Sequence, residues 1–466
     1  MKKSTFALYF GQRGFFPASL QQAAREELTG VLAGLGHEVV AMPFDATRAG
    51  AVETREEGEK YRRFLAENRG KYDGVILALP NFGDENGAMA AFRDCDVPIF
   101  IQAYPDEMDK MAPATRRDSF CGKMSIMDVF VQCGINFTIL KPHTVSPSGA
   151  KFRENVDYFD RLCRVVRDCR DLRLGAIGAR TTAFKTVRFD EIALQKYGVT
   201  TECYDLSEVF ARVRKLSDGD AKVKAKLESL SAYADCGGAP AGSMANLARL
   251  GVVLDDMVEE YALDSVALRC WMEIEEELKV SPCLLVSEMN ERGVVASCEL
   301  DVGNALAMRA LRAASGDPVT CLDWNNNYND EDDKCILFHC GPVPKSMMAG
   351  GGRVDEHAIL ATSLGAGCSF GCNTGRIKPM PMTYGSLLTR DGEIEVFLGE
   401  GEFTADPIPA DFFGCAGVVE IPEMQDMLQE IGYAGFRHHV SVAPGRVMAP
   451  AAEAMAKYLG YEVMTF

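Results

Sequence analysis

Apolar runs and stretches of helical period alternate through the first 170 residues. STFALYF at 4–10 predicts a strand, and the glycines of GQRGFFP follow it at once. From 18 to 35, apolar positions recur at helical spacing: Leu20, Ala24, Leu28, Val31, Leu32 and Leu35. HEVVAMPF predicts a second strand, 51–69 a charged helix, and YDGVILALPNFGDENG a third strand ending in a polar loop. VPIFIQAYPDE repeats that pattern. Such alternation predicts an open parallel sheet, whose ligands sit beyond the carboxyl ends of the strands. The loops at those ends are 11–16, 81–87 and 102–107.

A strongly charged helical run, SPSGAKFRENVDYFDRLCRVVRDCRDL, closes this series, and a domain boundary is expected near its end. A second strand–loop–helix series opens at LRLGAIGARTTAFKTVRFDEIALQKYGV and continues through several helices to about residue 279. Gly175 and Gly178 in GAIGAR lack the GxGxxG spacing of a dinucleotide fingerprint, so no nicotinamide cofactor is expected. After 355, segments such as TGRIKPMPMTYGSLLTR and GEIEVFLGEGEF, separated by DG and EG turns, predict antiparallel strands in a sandwich or barrel. PAAEAMAKYLG predicts a closing amphipathic helix, and GGG at 350–352 a flexible turn or linker. The expected fold is α/β: two Rossmann-like parallel-sheet domains, 1–170 and 171–350, then a mainly antiparallel β C-terminal domain, 351–466.

Composition narrows the function classes. At 466 residues, 47% hydrophobic and 25% charged, the chain has the makeup of a soluble globular protein of several domains. Its net charge of −18 argues against a nucleic-acid or anionic-membrane partner. No apolar run approaches the roughly 20 residues of a membrane span. MKKSTFALYFG lacks the segments of a secretory signal, so a cytoplasmic location is expected. The 16 cysteines make no paired CxxC modules and are expected to be reduced thiols rather than zinc ligands.

The chemistry is concentrated between 298 and 340. Glu299 follows the apolar run VVASC, where an acid is costly unless paired or bound to a cation. It could also cap the helix beginning VGNALAMRAL, a role that Asp301 fits better. Asp323 in VTCLDWNN follows another apolar run; an Asx turn into the Asn-rich loop is the plainer alternative. His339 ends KCILFHCG, either as a core histidine or as a ligand. His438 and His439 in GFRHHVSVAPG are adjacent, so in a strand they face opposite ways and only one serves a given site. Two carboxylates with imidazole suit a divalent cation and chemistry that polarises oxygen and moves protons. Arg13, Asn81, Gln102, Lys123, Arg180, Lys185, Trp271 and Arg376 are candidate substrate-binding groups, through polar contacts or, for Trp271, stacking on a sugar ring.

At these residues the chain resembles the L-fucose isomerase-like and L-arabinose isomerase-like sugar isomerases. The resemblance rests on ALRCWMEIEEEL, CLLVSEMNERGVVASCELDVGNALAM, LDWNNNYNDEDDKCILFHCGPVPKSM, TGRIKPMPMTYGSLLTRDGE and GFRHHVSVAPG, in that order. RRDSFCGKMS and GAIGARTTAFKTVRFDE extend it toward the N-terminus. The resemblance implies two α/β domains, an antiparallel C-terminal domain and a divalent site, most simply Mn2+. It also implies a homo-oligomer, trimer or hexamer, with active sites between subunits that loops such as 12–16 help to complete. Glu299 and Asp323 then correspond to metal-binding carboxylates that also handle the substrate proton, one of His438 and His439 to a metal ligand, and His339 to a further histidine of the arabinose branch.

The implied activity is aldose–ketose isomerisation of a hexose or modified hexose by proton transfer through an enediol, with a hydride shift as the mechanistic alternative. The N-terminal loops depart from those of the fucose isomerases. A neighbouring group of the family acts on sulfoquinovose, a glucose with a C6 sulfonate, which Arg13, Lys123, Arg180, Lys185 or Arg376 could bind. The competing expectations are a sugar-binding or regulatory protein without turnover, and a metal-dependent hydrolase or lyase.

Overall fold

A computed structural model describes residues 2–466. The chain forms two compact units, one running to Arg167 and the other spanning Asp168–Phe466. In the first, β1 (Phe6–Phe10), β2 (Val39–Ala41), β3 (Gly74–Leu79) and β4 (Ile99–Ala103) form a parallel sheet in the order β2-β1-β3-β4. β1, β3 and β4 are buried at every position, as expected for parallel strands covered on both faces. The four strands and the two helices between β1 and β3 are those the apolar pattern predicts.

The second unit opens with the same arrangement. β5 (Leu172–Ile177), β6 (Val199–Tyr204), β7 (Ser265–Leu268) and β8 (Val295–Cys298) pair in parallel in the order β6-β5-β7-β8. A nine-stranded sheet follows, built from β9 (Thr320–Asn327), β10 (Lys334–His339), β11 (Met348–Glu356), β12 (Phe370–Ile377), β13 (Met380–Arg390), β14 (Glu393–Phe403), β15 (Cys415–Glu420), β16 (His439–Pro444) and β17 (Glu462–Thr465). Its order is β11-β12-β15-β10-β9-β16-β13-β14-β17, and β14 also pairs with β15. That extra pairing closes β15, β10, β9, β16, β13 and β14 into an antiparallel barrel. Closure removes sheet edges that would otherwise be open to association. The expected fold class is thus the observed one.

Several local expectations are corrected. β9 and β10 hydrogen-bond into the barrel sheet, although their residues precede position 350. GGG at 350–352 lies inside β11, where the ladder with β12 shifts register between Ala349 and Arg353. A Cβ at Gly352 would fall 1.7 Å from Asn373 Oδ1, so close packing, not flexibility, requires glycine there. The DG pair does turn: Asp391 and Gly392 have φ of 50° and 83°, the left-handed backbone of a tight hairpin between β13 and β14. The EG pair at 400–401 does not; it lies within β14 beside β15. The expected terminal helix forms over Met448–Glu453 and continues as a π-helix over Ala454–Leu459, but it does not close the chain, because β17 follows it.

The helix Val302–Ser315 joins the two halves of this unit. It packs on β7 and β8 and also on β13 and β16, which explains why it is buried almost all round. Its first turn therefore sits where the carboxyl ends of β7 and β8 meet the barrel.

Candidate active site

Glu299 occupies the reversal between β8 and the helix Val302–Ser315. Glu299 and Leu300 have φ of 59° and 62°, two successive non-glycine residues in the left-handed region. Such strain persists only where surrounding structure holds it, and it clusters at functional sites. The indole Nε1 of Trp271, just beyond β7, donates to Glu299 Oε1 at 3.0 Å. Glu299 Oε2 is left 2.9 Å from Nε2 of His439.

His439 and Asp323 are cross-strand partners on β16 and β9. Asp323 Oδ1 lies 3.4 Å from the same Nε2. The other imidazole nitrogen, Nδ1, is 2.7 Å from Asp301 Oδ2. Asp301 is fully buried: it accepts the Asn304 N–H at 3.0 Å as helix cap, and also accepts from Arg437 Nη1 at 3.1 Å. With Nδ1–H donating to Asp301, the lone pair on Nε2 points toward two carboxylate oxygens. Glu299 Oε2, Asp323 Oδ1 and His439 Nε2 are all buried without a hydrogen bond. With Nε2 unprotonated, the three are electron-rich atoms converging on one point, a set that fits a shared cation.

Electrostatics agree with that arrangement. Burial alone would raise Glu299, but the bond to His439, His339 and Trp271 outweigh it and hold the carboxyl at about 2. Burial opposes charge on His439 too, yet Asp301 and Glu299 raise it to about 10. Without a cation, a proton on His439 Nε2 would thus lie against Glu299, and a divalent cation would take that proton's place.

His339 is brought to the same place, its ring centre 5.8 Å from that of His439. Its Nδ1 accepts the Cys340 backbone N–H at 2.9 Å, and its Nε2 lies 3.2 Å from Cys298 Sγ. Glu299, His339 and His439 form one potential ligand group, and Asp323, His438 and His439 another. His438 departs from the alternation argument because it sits in a bend just before β16. Both imidazoles consequently reach Asp323, His438 at 3.7 Å; the side chain of His438 is 42% exposed and that of His439 1%.

The other predicted residues divide. Trp271 joins the site. Arg180 and Lys185 lie on the loop after β5, with Arg180 bonded to the Thr181 and Thr182 carbonyls and Lys185 exposed. Arg376, on β12, is tied to the carbonyls of Gly375, Pro409 and Phe412. In the first unit, Arg13 stacks on Phe82 and pairs with Glu85, and the buried Asn81 receives the Arg13 and Gly83 N–H groups. Gln102 donates to the Val145 carbonyl at 2.7 Å and Lys123 to the His143 carbonyl at 2.8 Å, both side chains buried.

The sequence marks Asp301 only as a helix cap, and marks neither Arg437, which donates to it, nor Phe184, whose ring centre lies 5.5 Å from that of His438. The arginine two residues before His439 and the acid two residues after Glu299 were the available signal. Phe184 carried none, because an aromatic in a polar loop has no periodicity to mark it.

Residues 7–170 match the N-terminal domain of the fucose/sulfoquinovose isomerases, and residues 337–466 the C-terminal domain of L-fucose isomerase; together these make up more than half of the chain. The sulfoquinovose isomerase of Priestia aryabhattai is 23% identical over 401 residues, covering 84% of this chain and 85% of the relative. That of Alkalicoccus urumqiensis is 22% identical over 382 residues, covering 81% and 83%. Among solved structures, a Salmonella D-lactate dehydrogenase aligns at a TM-score of 0.16 and 9% identity over 67% of this chain and 95% of its own, a likeness too slight to carry any argument.

Proposed function

This chain belongs to the fucose/sulfoquinovose isomerase family and is an aldose–ketose isomerase, and on that premise we propose that it converts sulfoquinovose to 6-deoxy-6-sulfofructose at a divalent metal centre, most simply Mn2+. The observation that carries the metal reading is the convergence of Glu299 Oε2, Asp323 Oδ1 and His439 Nε2, all buried and without hydrogen bonds. These three residues would hold the cation, with His339 or His438 beside them. Bound there, the metal would supply Lewis-acid polarisation of the sugar carbonyl and stabilise negative charge developing on oxygen.

The protein groups do the rest. Trp271 fixes one oxygen of Glu299, and Asp301, held by Arg437, fixes the tautomer and angle of His439. Turnover breaks the C2–H bond of the aldose and forms a C1–H bond, through an enediol. One of the carboxylates of Glu299 and Asp323 takes the first proton and returns one to C1. A second proton passes from O2 to O1, and His438, exposed beside Asp323, is placed to relay it. For the sulfonate we take Lys185, exposed next to Phe184, as the candidate cation: its ammonium has no hydrogen bond or ion pair among the described residues. The enzyme works in this reading as a trimer or hexamer; the 78% exposure of Phe15, in the loop expected to complete a neighbouring site, supports it.

The test incubates manganese-replete protein with sulfoquinovose, glucose, fucose and arabinose in deuterated water. Ketose formed fastest from sulfoquinovose is expected, with deuterium at C1 only to the extent that the transferred proton exchanges with solvent before its return. Faster conversion of the neutral sugars would discard the sulfonate assignment, and no conversion of any sugar would leave a sugar-binding protein without turnover.

A further inference from the structure

Residues 178–190 connect β5 to the short helix Glu191–Lys196. Around Phe184 the loop faces solvent, with Ala179, Thr182, Ala183 and Lys185 all exposed. Phe184 turns inward instead. Its ring centre lies 5.6 Å from that of Trp271, 5.5 Å from His438 and 5.7 Å from His439, edge-on or tilted in each case. Each geometry is one that aromatic pairs favour.

The loop is pinned on both sides of that ring. Before it, Thr181 Oγ1 donates to the Trp271 carbonyl at 3.1 Å. Beyond it, the Arg188 carbonyl accepts from Arg437 Nη2 at 2.6 Å, and the Asp190 N–H donates to Thr389 Oγ1 at 2.8 Å. Two of these anchors, Trp271 and Arg437, are the residues that orient Glu299 and Asp301. The groups that set the site's geometry thus also set the position of Phe184.

We infer that Phe184 closes the site over the reacting carbons, fitting the apolar face of the sugar and keeping bulk water from the proton in transit. The inference rests on the isomerase reading. With its N–H committed to Glu299, Trp271 presents an indole face as one wall, and Phe184 supplies the adjoining one. A proton held on a carboxylate between removal and return exchanges with any water that reaches it, so exclusion of water decides how much label survives transfer. Phe184 therefore acts on specificity and on the fate of the proton, without itself gaining or losing one.

The test compares Phe184→Ala and Phe184→Leu with the parent enzyme, using sulfoquinovose deuterated at C2 in ordinary water. Phe184→Ala is expected to raise KM about tenfold, in the range typical of deleting apolar contact in a pocket. It should also lower the share of deuterium carried to C1, leave Mn2+ affinity unchanged and make Trp271 more open to acrylamide quenching in a Trp324→Phe background. Phe184→Leu should recover part of the KM. Unchanged KM and label transfer in Phe184→Ala would overturn the inference. So would a lower melting temperature with KM and transfer unaltered, which would assign the ring to packing alone. Failure of the parent enzyme to convert any sugar would reject the isomerase reading itself.

Discussion

At the scale of single residues, the site depends on one imidazole placed between three carboxylates. Asp301 fixes the donor side of His439, while Glu299 and Asp323 face its lone pair. Losing such a partner ordinarily costs 10- to 100-fold in metal affinity or activity. Asp301→Asn should therefore weaken Mn2+ binding by about that factor, as measured by calorimetry, because its amide can present a donor to Nδ1 and reverse the tautomer. His438→Asn should weaken it far less, since His438 is half-exposed and reaches only Asp323. Equal losses in the two variants would contradict the division of roles. Glu299, Asp323 and the histidine pair were legible from their positions after apolar runs. Asp301 was legible only as a cap, because a one-dimensional pattern shows local hydrogen bonding and not a bond to a residue 138 positions away.

At the scale of elements, apolar periodicity located the strands of the first parallel sheet and the hairpin β13–β14, but β7 (Ser265–Leu268) lies in a stretch expected to be helical. Periodicity did not say which sheet β9 and β10 would join, because pairing is a long-range choice that burial pattern alone leaves open. GGG at 350–352 was misread for a related reason: glycine marks flexibility and close approach alike, and only the neighbouring Asn373 separates them. The short helix Glu273–Leu278 has a testable electrostatic cost. Glu275 is 1% exposed; Ser281 donates to one of its oxygens and the other has no partner. Burial lifts its carboxyl from 4.5 to about 7. The folded chain thus holds this proton more tightly than the unfolded chain. Stability is greatest below about pH 4.5 for this group and declines as pH rises toward 7. At about 1.4 kcal/mol per unit, the decline is roughly 3 kcal/mol. Glu275→Gln should melt at a higher temperature than the parent at pH 8 and show little or no gain at pH 5, followed by circular dichroism. A difference that does not change with pH would refute this assignment.

At the scale of the whole molecule, the second unit repeats the strand order of the first and adds a barrel closed by β14 and β15. Helix Val302–Ser315 brings the carboxyl end of β8 against that barrel, so Glu299 and Asp301 come from one sheet and Asp323, His339 and His439 from the other. A ligand set divided in this way forms only when the two halves of the unit are correctly docked. Metal binding and turnover should consequently be gained and lost together. The most direct measurement is a Mn2+ titration of chelator-stripped protein, read by electron paramagnetic resonance alongside ketose formation from sulfoquinovose. One tightly bound Mn2+ per chain is expected, with activity rising in proportion to occupancy, and both should be lost in Glu299→Gln and Asp323→Asn. Full turnover by the stripped protein, or unchanged Mn2+ binding in those variants, would contradict the account.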